Sequence, residues 1–212
     1  MNKKIAIIGA GDLGQQIAHY IVTDDIDSVV GYFDDTLERG AVIAGASVLG
    51  STKDIKSVYE TGSFDALLVG IGYKHLGFKK MIFESNSAIP FATFIHSSVV
   101  LDPTAIVESG AVVFPGCILD KNVRLGANVL LNIGCSISHD SIIGDHSFLS
   151  PRVAIAGFTT VGTECILGIS STVIDNVKIC DGVRLGAGAV AVADLGVSGT
   201  YMGIPAKLKK SL

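Results

Sequence analysis

The sequence predicts an α/β chain in two parts, an N-terminal βαβ unit resembling half a Rossmann fold and a parallel β-helix of hexapeptide repeats. Val, Ile or Leu stands at every sixth position from Leu101 to Leu185, and the register ends at Ala191. A second series, two residues earlier, runs from Val99 to Ala189 and contains only Val, Ala, Cys, Ser and Thr. Neither the 3.6-residue period of a helix nor the two-residue period of a strand gives this pattern, which is typical of a hexapeptide β-helix.

Composition limits the classes of function. The chain has 212 residues, 49% of them hydrophobic, and a net charge of −4. This length allows one or two cored domains, and the charge argues against a nucleic-acid partner. No apolar run approaches the roughly 18 to 20 residues that a membrane helix needs. The N-terminal sequence lacks the cleavage region of a signal peptide, so we expect a cytoplasmic protein with no membrane partner.

The first 95 residues follow a βαβ pattern. Residues 3–9 predict a strand, GAGDLG at 9–14 a tight turn, and residues 15–22 a helix. Residues 28–33 and 64–70 predict two further buried strands. Because strands that alternate with helices form parallel sheets, we expect ligands at the carboxyl ends of these strands.

The glycine turn predicts a nucleotide site. In a GxGxxG turn, helix amides face a phosphate, here from Gly9 and Gly11, and Asp34 and Asp35 after the second strand can accept hydrogen bonds from a ribose or base. NAD needs two mononucleotide halves and this segment supplies one, which disfavours a nicotinamide oxidoreductase. In the alternative interpretation the glycines, Gly14 included, only allow the strand and helix to pack closely.

The third strand leads into a second group of candidate ligand-binding residues. Gly72, Tyr73, Lys74 and His75 follow it in GIGYKHLGFKK, at the edge where a parallel sheet binds ligands. We expect Gly72, Tyr73 and Lys74 to contact the ligand. The alternative is that they are ordinary surface residues.

The repeat also places residues relative to one another, because one coil of three hexapeptides takes 18 residues. His139 and Asp140 fall at a corner of the prism, and Gly157 falls beside His139 on the next coil. A general base, a carboxylate that orients it and a bare amide donor suit acyl transfer. The alternative is a His-Asp pair in a solvated turn.

One face of the β-helix collects large apolar residues that point out of the prism: Val112, Phe114, Leu130, Phe148 and Ile166. An exposed patch of this size is unfavourable on a monomer. We therefore predict that this face forms a homo-oligomer interface, in a closed cyclic trimer.

The remaining polar features have weaker interpretations. Three of the four cysteines lie in the small-residue series and no CxxC occurs, so we expect neither a metal nor a redox role. His146 is expected to form a surface pair with Glu164. In the tail, Lys207, Lys209 and Lys210 could bind the phosphates of coenzyme A, or could simply be solvated.

The whole chain resembles the hexapeptide-repeat acyltransferases of the sialic acid O-acetyltransferase and nucleotide-4-amino-sugar N-acetyltransferase family. The matching segments are GAGDLG, FDD at 33–35, the unbroken hexapeptides, HDSIIGD at 139–145 and GIPAK at 203–207. The resemblance implies a left-handed β-helix, acetyl-CoA as cosubstrate, and homotrimers with active sites between subunits.

The resemblance also implies roles for individual residues. His139 is the base, Asp140 its acidic partner and Gly157 the amide beside the thioester, while Gly9, Gly11, Asp34 and Asp35 hold the nucleotide. Acetyl-CoA is expected to lie near Phe148 and Lys207. Two departures stand out. Phe148 occupies a position where many relatives carry a second His near the cofactor. Tyr73, Lys74 and His75 stand where relatives often have Asn or Asp and then Arg.

We thus predict a nucleotide-sugar-binding domain over residues 1–95, a β-helix acetyltransferase domain over 96–195 and a tail over 196–212. The predicted reaction is acetyl-CoA-dependent N-acetylation of the C4 amine of a dTDP- or UDP-linked 4-amino-6-deoxy sugar, for bacterial surface glycan synthesis. Two alternatives remain, a sugar O-acetyltransferase of the sialic acid type and a noncatalytic scaffold that senses nucleotides.

Overall fold

A computed structural model of the chain describes residues 2–211, with side chains through Lys209. It divides into two units, Met1–Phe94 and Ile95–Leu212. The first unit contains a five-stranded sheet in the order β3-β4-β2-β1-β5. Its strands are β1 (Lys4–Ile8), β2 (Ser28–Phe33), β3 (Val42–Ile43), β4 (Ala46–Gly50) and β5 (Ala66–Val69). All neighbouring strands are parallel except β3 and β4.

Three helices complete this unit: α1 (Asp12–Thr23), α2 (Ile55–Glu60) and α3 (Leu76–Ser85), with short 3-10 turns at Thr52–Asp54 and Tyr73–His75. The predicted strand 28–33 is β2 itself, and the other predicted strands and the helix occur with shifted ends. The β3-β4 hairpin, α2 and α3 have no counterpart in the prediction. The hairpin turns at Ala44 and Gly45, both at positive φ, as a type I′ turn requires.

The second unit is a three-sided parallel β-helix of two-residue strands. Face A contains Val100–Leu101, Ile118–Leu119, Ser136–Ile137, Ala154–Ile155, Thr172–Val173 and Val190–Ala191. Face B contains Ile106–Val107, Arg124–Leu125, Ile142–Ile143, Thr160–Val161 and Lys178–Ile179. Face C contains Phe94–Ile95, Val112–Val113, Leu130–Leu131, Phe148–Leu149, Ile166–Leu167 and Arg184–Leu185, followed by Gly199–Met202 and Lys207–Ser211.

Strand pairing follows the 18-residue coil that the sequence predicts. On face A, for example, Leu119 pairs with Leu101 on one side and Ile137 on the other. Large aliphatic residues at the second position of each strand point inward, and from Val113 onward they are almost completely buried. Interior hydroxyls join the coils as well, since Ser141 Oγ donates to the Ala156 carbonyl at 3.0 Å and accepts from the Thr159 amide at 3.2 Å.

The corners of the prism repeat one backbone conformation. Every sixth residue from Gly110 to Gly188 has positive φ, between 53° and 74°. Asp140 and Phe158 occupy this left-handed position, and His139 and Gly157 each precede it. Because left-handed backbone favours Gly, Asn and Asp, the corners carry these residues at several of the positions. The corner geometry is therefore regular enough for the 18-residue spacing to bring side chains together.

At the C-terminal end, Gly199–Met202 pairs in parallel with Arg184–Leu185 and antiparallel with Lys207–Ser211. Residues of the tail thus continue face C of the β-helix, and the antiparallel strand ends the stack of parallel ones.

Candidate functional site

The first unit has a cavity of about 420 Å³ at the carboxyl ends of its parallel strands. This is the edge where open α/β sheets bind ligands. The cavity is lined by residues that follow β1, β2, β4 and β5, together with part of α3: Ile8, Gly9, Phe33, Asp34, Asp35, Thr36, Thr52, Ile71, His75 and Phe78. Three residues predicted to bind the nucleotide, Gly9, Asp34 and Asp35, therefore meet in one cavity.

Asp34 and Asp35 also hold the walls of this cavity together. Asp34 Oδ2 accepts the Ala10 amide at 2.9 Å, which ties the glycine turn to the end of β2. Its Oδ1 accepts the Thr36 hydroxyl at 2.6 Å. Asp35 Oδ1 accepts the Thr52 amide at 2.8 Å. Partial burial acts to raise the pKa of Asp34, but the hydrogen bonds from Thr36 and Ala10 outweigh it, so the pKa lies below its ordinary value.

The glycines of the turn have different environments. Gly9 has φ +98°, and a methyl group there would lie 3.1 Å from the Gly70 carbonyl oxygen. A methyl group on Gly14 would collide with the Gly9 carbonyl oxygen, whereas one on Gly11 would meet nothing within 4 Å. Gly14 thus permits close packing of α1 against β1, and Gly11, the N-cap of α1, leaves open space where a phosphate would approach.

The loop after β5 only partly matches the expectation. Gly72, Tyr73 and Lys74 are absent from the cavity lining, and Tyr73 and Lys74 are exposed. His75 does line the cavity. Thr52 and Phe78 also line the cavity, although no sequence motif singles them out. Thr52 follows β4, and recognising β4 as a further parallel strand would have placed it at the same edge.

The β-helix brings His139 and Asp140 together at the corner between faces A and B. The His139 Nδ1 atom lies 3.0 Å from Asp140 Oδ2, and 46% of the His139 side chain is exposed. The Asn122 side-chain amide donates to Asp140 Oδ1 at 2.9 Å. Hydrogen bonds from Asn122 and His139 lower the pKa of Asp140, so this carboxylate is charged at neutral pH and can accept a hydrogen bond from Nδ1–H.

Gly157 lies directly against this imidazole, as the 18-residue spacing predicts. A methyl group on Gly157 would lie 2.7 Å from His139 Cε1 and 2.9 Å from Nε2. The φ of Gly157 lies outside the left-handed region, so the backbone does not require glycine there. Within residues 2–211 the Gly157 N–H has no hydrogen-bond acceptor. Phe158 packs edge-on against the imidazole, with ring centroids 5.1 Å apart.

This corner combines the parts that acyl transfer needs. The Asp140 contact favours a proton on Nδ1, which leaves Nε2 of a neutral imidazole able to take a proton from a nucleophile. The free amide beside the ring can donate to an oxygen that becomes negative during the reaction. Among residues 2–211, no three His, Cys, Asp or Glu side chains cluster as a metal site would require.

The apolar face of the β-helix is less exposed than the sequence predicts. The apolar face was expected to be exposed, but Val112, Phe114 and Leu130 are buried within the single chain. Phe148 is likewise only 4% exposed in the single chain. The residue period tells which side chains leave the prism, but it does not tell whether the chain itself covers them. Ile166, the fifth residue of this face, is half-buried. The face therefore offers little exposed apolar surface for the predicted homo-oligomer interface.

His146 also departs from the expected surface position. Its side chain is buried, with 7% exposure, and its Nδ1 lies 3.1 Å from the amide nitrogen of Asn128, one coil earlier. In the tail, Lys207 and Lys209 are exposed, while the side chain of Lys210 lies outside the described residues. No helix of the described chain is long and apolar enough to span a membrane.

Comparisons with known proteins support this architecture. No protein-family model matches the chain. The acetyltransferase domain of PglB from Neisseria gonorrhoeae, solved with acetyl coenzyme A, is 27% identical with a TM-score of 0.90, and the match covers 99% of this chain and 100% of that one. PerB from Caulobacter crescentus, solved with CoA and GDP-perosamine, is 28% identical with a TM-score of 0.88, and the match covers 97% of each chain.

Curated relatives match over a shorter segment. The UDP-3-O-acylglucosamine N-acyltransferase of Bordetella avium is 32% identical over 110 residues, which are 52% of this chain and 28% of that protein. The match thus spans little more than a quarter of that relative. The solved structures confirm the predicted fold class, a βαβ domain followed by a left-handed β-helix. Over nearly its whole length the chain is thus similar to the PglB acetyltransferase domain and to a GDP-perosamine N-acetyltransferase of Caulobacter crescentus.

Proposed function

We propose that this protein transfers the acetyl group of acetyl-CoA to the C4 amine of a nucleotide-linked 4-amino-6-deoxy sugar, in bacterial surface glycan synthesis. The observation that carries the proposal is the corner where the His139 imidazole contacts the Asp140 carboxylate and lies against Gly157. It holds a base, its orienting acid and a free amide donor on two adjacent coils of the β-helix.

The reaction assigns one role to each residue of the corner. His139 Nε2 takes a proton from the C4 amine as the amine nitrogen attacks the thioester carbonyl carbon. Asp140 holds the ring through Nδ1 and stabilises the imidazolium that forms. The Gly157 N–H donates to the carbonyl oxygen as it becomes an oxyanion. The tetrahedral intermediate then collapses and the carbon–sulfur bond breaks. The CoA thiolate leaves and takes up the proton from the His139 imidazolium, which restores the neutral base.

The substrate roles divide along the chain. Residues 1–95 bind the nucleotide sugar, with the phosphates at Gly9 and Gly11 and the ribose or base near Asp34 and Asp35. Gly72, Tyr73 and Lys74 contact the sugar or the nucleotide outside the described cavity. Residues 96–195 carry the chemistry, and in the tail 196–212 the ammonium of Lys207 binds a phosphate of acetyl-CoA.

The solved relatives support both substrates. The PglB domain is solved with acetyl coenzyme A, and PerB with CoA and GDP-perosamine. We propose a dTDP- or UDP-linked sugar for this chain, and the PerB complex makes the GDP-linked form the natural comparison. We also propose that the enzyme acts in the cytoplasm.

A thermal-shift screen followed by an acetyl-transfer assay tests the function. UDP-, dTDP- and GDP-linked 4-amino sugars are each added with and without CoA, because a ligand that binds only the folded state raises Tm. We expect one amino-sugar nucleotide and CoA each to stabilise the protein, and that sugar to be N-acetylated. Transfer to a free sialic acid hydroxyl instead would indicate the O-acetyltransferase. No stabilisation by CoA would favour the noncatalytic scaffold.

We further propose a homotrimer with active sites between subunits, although face C offers little exposed apolar surface for the interface. The corner between faces C and A is a candidate, because it presents one apolar residue per coil, including Ile133, Pro151 and Ile169. Ile133 and Ile169 are 41% and 51% exposed. Sedimentation of the wild type and of Ile133→Lys/Ile169→Lys tests this, and a wild-type monomer at micromolar concentration would rule out the trimer.

A further inference from the structure

The corner that holds His139 is supported by side chains from earlier coils, which the proposed mechanism does not use. Residues 104, 122 and 140 are 18 apart and stack along one corner of the prism. Asn122 lies in the middle, with left-handed backbone at φ 59°. Its side-chain amide donates to Asp140 Oδ1, while Asp140 Oδ2 contacts His139 Nδ1. The two oxygens of one carboxylate thus face two different partners.

Asn122 is itself fixed from the preceding coil. Its backbone N–H donates to Thr104 Oγ1 at 2.7 Å, and the Thr104 hydroxyl donates to Asp102 Oδ1 at 2.6 Å. Hydrogen bonds from the backbone and from the side chain of Asn122 therefore connect Asp102 with the imidazole. Asp140 is exposed to solvent over part of its side chain, so packing alone does not fix the rotation of its carboxylate. A hydrogen bond on Oδ1 does fix this rotation.

We infer that Asn122 is a positioning residue for acetyl transfer: its amide orients the Asp140 carboxylate, which in turn holds the His139 ring with the proton on Nδ1. This inference rests on the proposed function of the His139 corner. Loss of the amide would free the carboxylate to rotate, and the imidazole would then populate both tautomers and several orientations. Only one of these points a free Nε2 toward the acceptor.

The chain offers a matched control at Asn176. It occupies the same corner three coils after Asn122, at φ 59°, and its amide also donates to a carboxylate, Asp175 Oδ2 at 2.8 Å. That carboxylate is not bonded to a histidine in the structure. Asn122→Gly and Asn176→Gly both keep a residue suited to left-handed backbone and remove the amide. Asn122→Asp and Asn176→Asp keep the shape of the side chain, and each places a second carboxylate beside the partner, Asp140 or Asp175.

Steady-state kinetics on all four variants tests the inference. We expect kcat to fall about tenfold or more in Asn122→Gly, as for loss of a hydrogen bond to a charged group, and further in Asn122→Asp. The KM values of both substrates and the Tm should match those of the Asn176 variants. Equal kcat values in the Asn122 variants and their Asn176 counterparts would overturn the inference, even where His139 proves essential.

A second measurement does not depend on turnover. The ¹⁵N chemical shifts of the neutral His139 ring report which nitrogen carries the proton. We expect Nδ1–H in the wild type and in Asn176→Gly, and a mixture of tautomers in Asn122→Gly. An unchanged Nδ1–H form in Asn122→Gly would contradict the positioning role. If the wild type transfers no acetyl group, the proposed function fails, while the ¹⁵N result still decides the role of Asn122.

Discussion

Gly157 leaves no room for a side chain beside His139, because a methyl group there would lie 2.7 Å from Cε1 of the imidazole. Its φ is not left-handed, unlike that of many glycines at the corners. At the same place in the hexapeptide, from Ser109 to Ala187, no other position carries glycine. The need for glycine at this position therefore comes from the imidazole and not from the backbone.

Gly157→Ala should lower kcat with little loss of stability. The new methyl group pushes the ring of His139 away from Asp140, and a displacement of about 1 Å at a reacting group can cost about 100-fold in rate. Turnover and thermal unfolding measure the two effects. The control is Gly196→Ala, because Gly196 also has ordinary φ and nothing within 4 Å of an added methyl group. Equal kcat in both variants would show that the contact has no catalytic consequence.

His139→Asn should remove most of the turnover and leave ligand binding intact. General acid–base catalysis by a positioned side chain typically contributes about 100- to 10,000-fold, and asparagine cannot supply it. Thermal shifts with CoA should remain, since the amide side chain needs no more space than the imidazole. His19→Asn, at an exposed position of α1, is the control. Near wild-type kcat in His139→Asn would eliminate His139 as the base.

The geometry of the corner can be predicted from the sequence because it depends only on the number of residues in one coil. An unbroken six-residue register fixes an 18-residue coil, and the coil fixes that Gly157 neighbours His139 and that Asn122 neighbours Asp140. No comparable rule governs the first unit. Phe78 reaches the cavity from a segment with no repeating pattern, so its distance from Asp34 depends on tertiary packing that the sequence pattern does not encode. Thr52 can be placed at the cavity only once β4 is recognised as a parallel strand.

The same limit applies to the solvent exposure of Phe148 and His146. Period alone places Phe148 and His146 outside the prism, and both side chains do leave it. Each is nevertheless buried, because burial depends on what the rest of the chain lays over that surface. The residue period thus predicts reliably which side chains point out of the prism, but it predicts poorly which of them are exposed to solvent.

Gly11→Ala and Gly14→Ala should separate ligand binding from stability. A methyl group on Gly14 collides with the Gly9 carbonyl oxygen, so this variant should lose about 1–3 kcal/mol of unfolding free energy, as overpacked sites do. Gly11 has open space and should tolerate alanine in the unliganded protein. There the methyl group would crowd a phosphate at the start of α1 and weaken nucleotide-sugar binding.

Denaturant unfolding and calorimetric titration with the amino-sugar nucleotide measure the two effects in each glycine variant. If Gly11→Ala binds the ligand as tightly as the wild type, the phosphate does not approach this amide. The glycine turn would then serve packing alone.

Asp34 should make the stability of the protein fall in acid. Its pKa lies below the ordinary value of about 3.9 because hydrogen bonds from Thr36 and Ala10 outweigh partial burial. A carboxylate with a lowered folded pKa stabilises the fold above its unfolded pKa, and that contribution disappears as the pH falls through the folded pKa. The unfolding free energy of the wild type should therefore drop more steeply below about pH 4 than that of Asp34→Asn.

Urea unfolding at a series of pH values between neutral and strongly acidic measures this difference, with the exposed Glu38→Gln as control. At neutral pH, Asp34→Asn should be less stable than the wild type, because its amide cannot accept the Thr36 and Ala10 hydrogen bonds with two charged oxygens. The two curves should converge in acid, where the wild-type carboxyl is also neutral. Parallel curves would mean that the hydrogen bonds to Asp34 contribute equally to stability in both protonation states. The negative charge of Asp34 would then not be needed to hold the glycine turn.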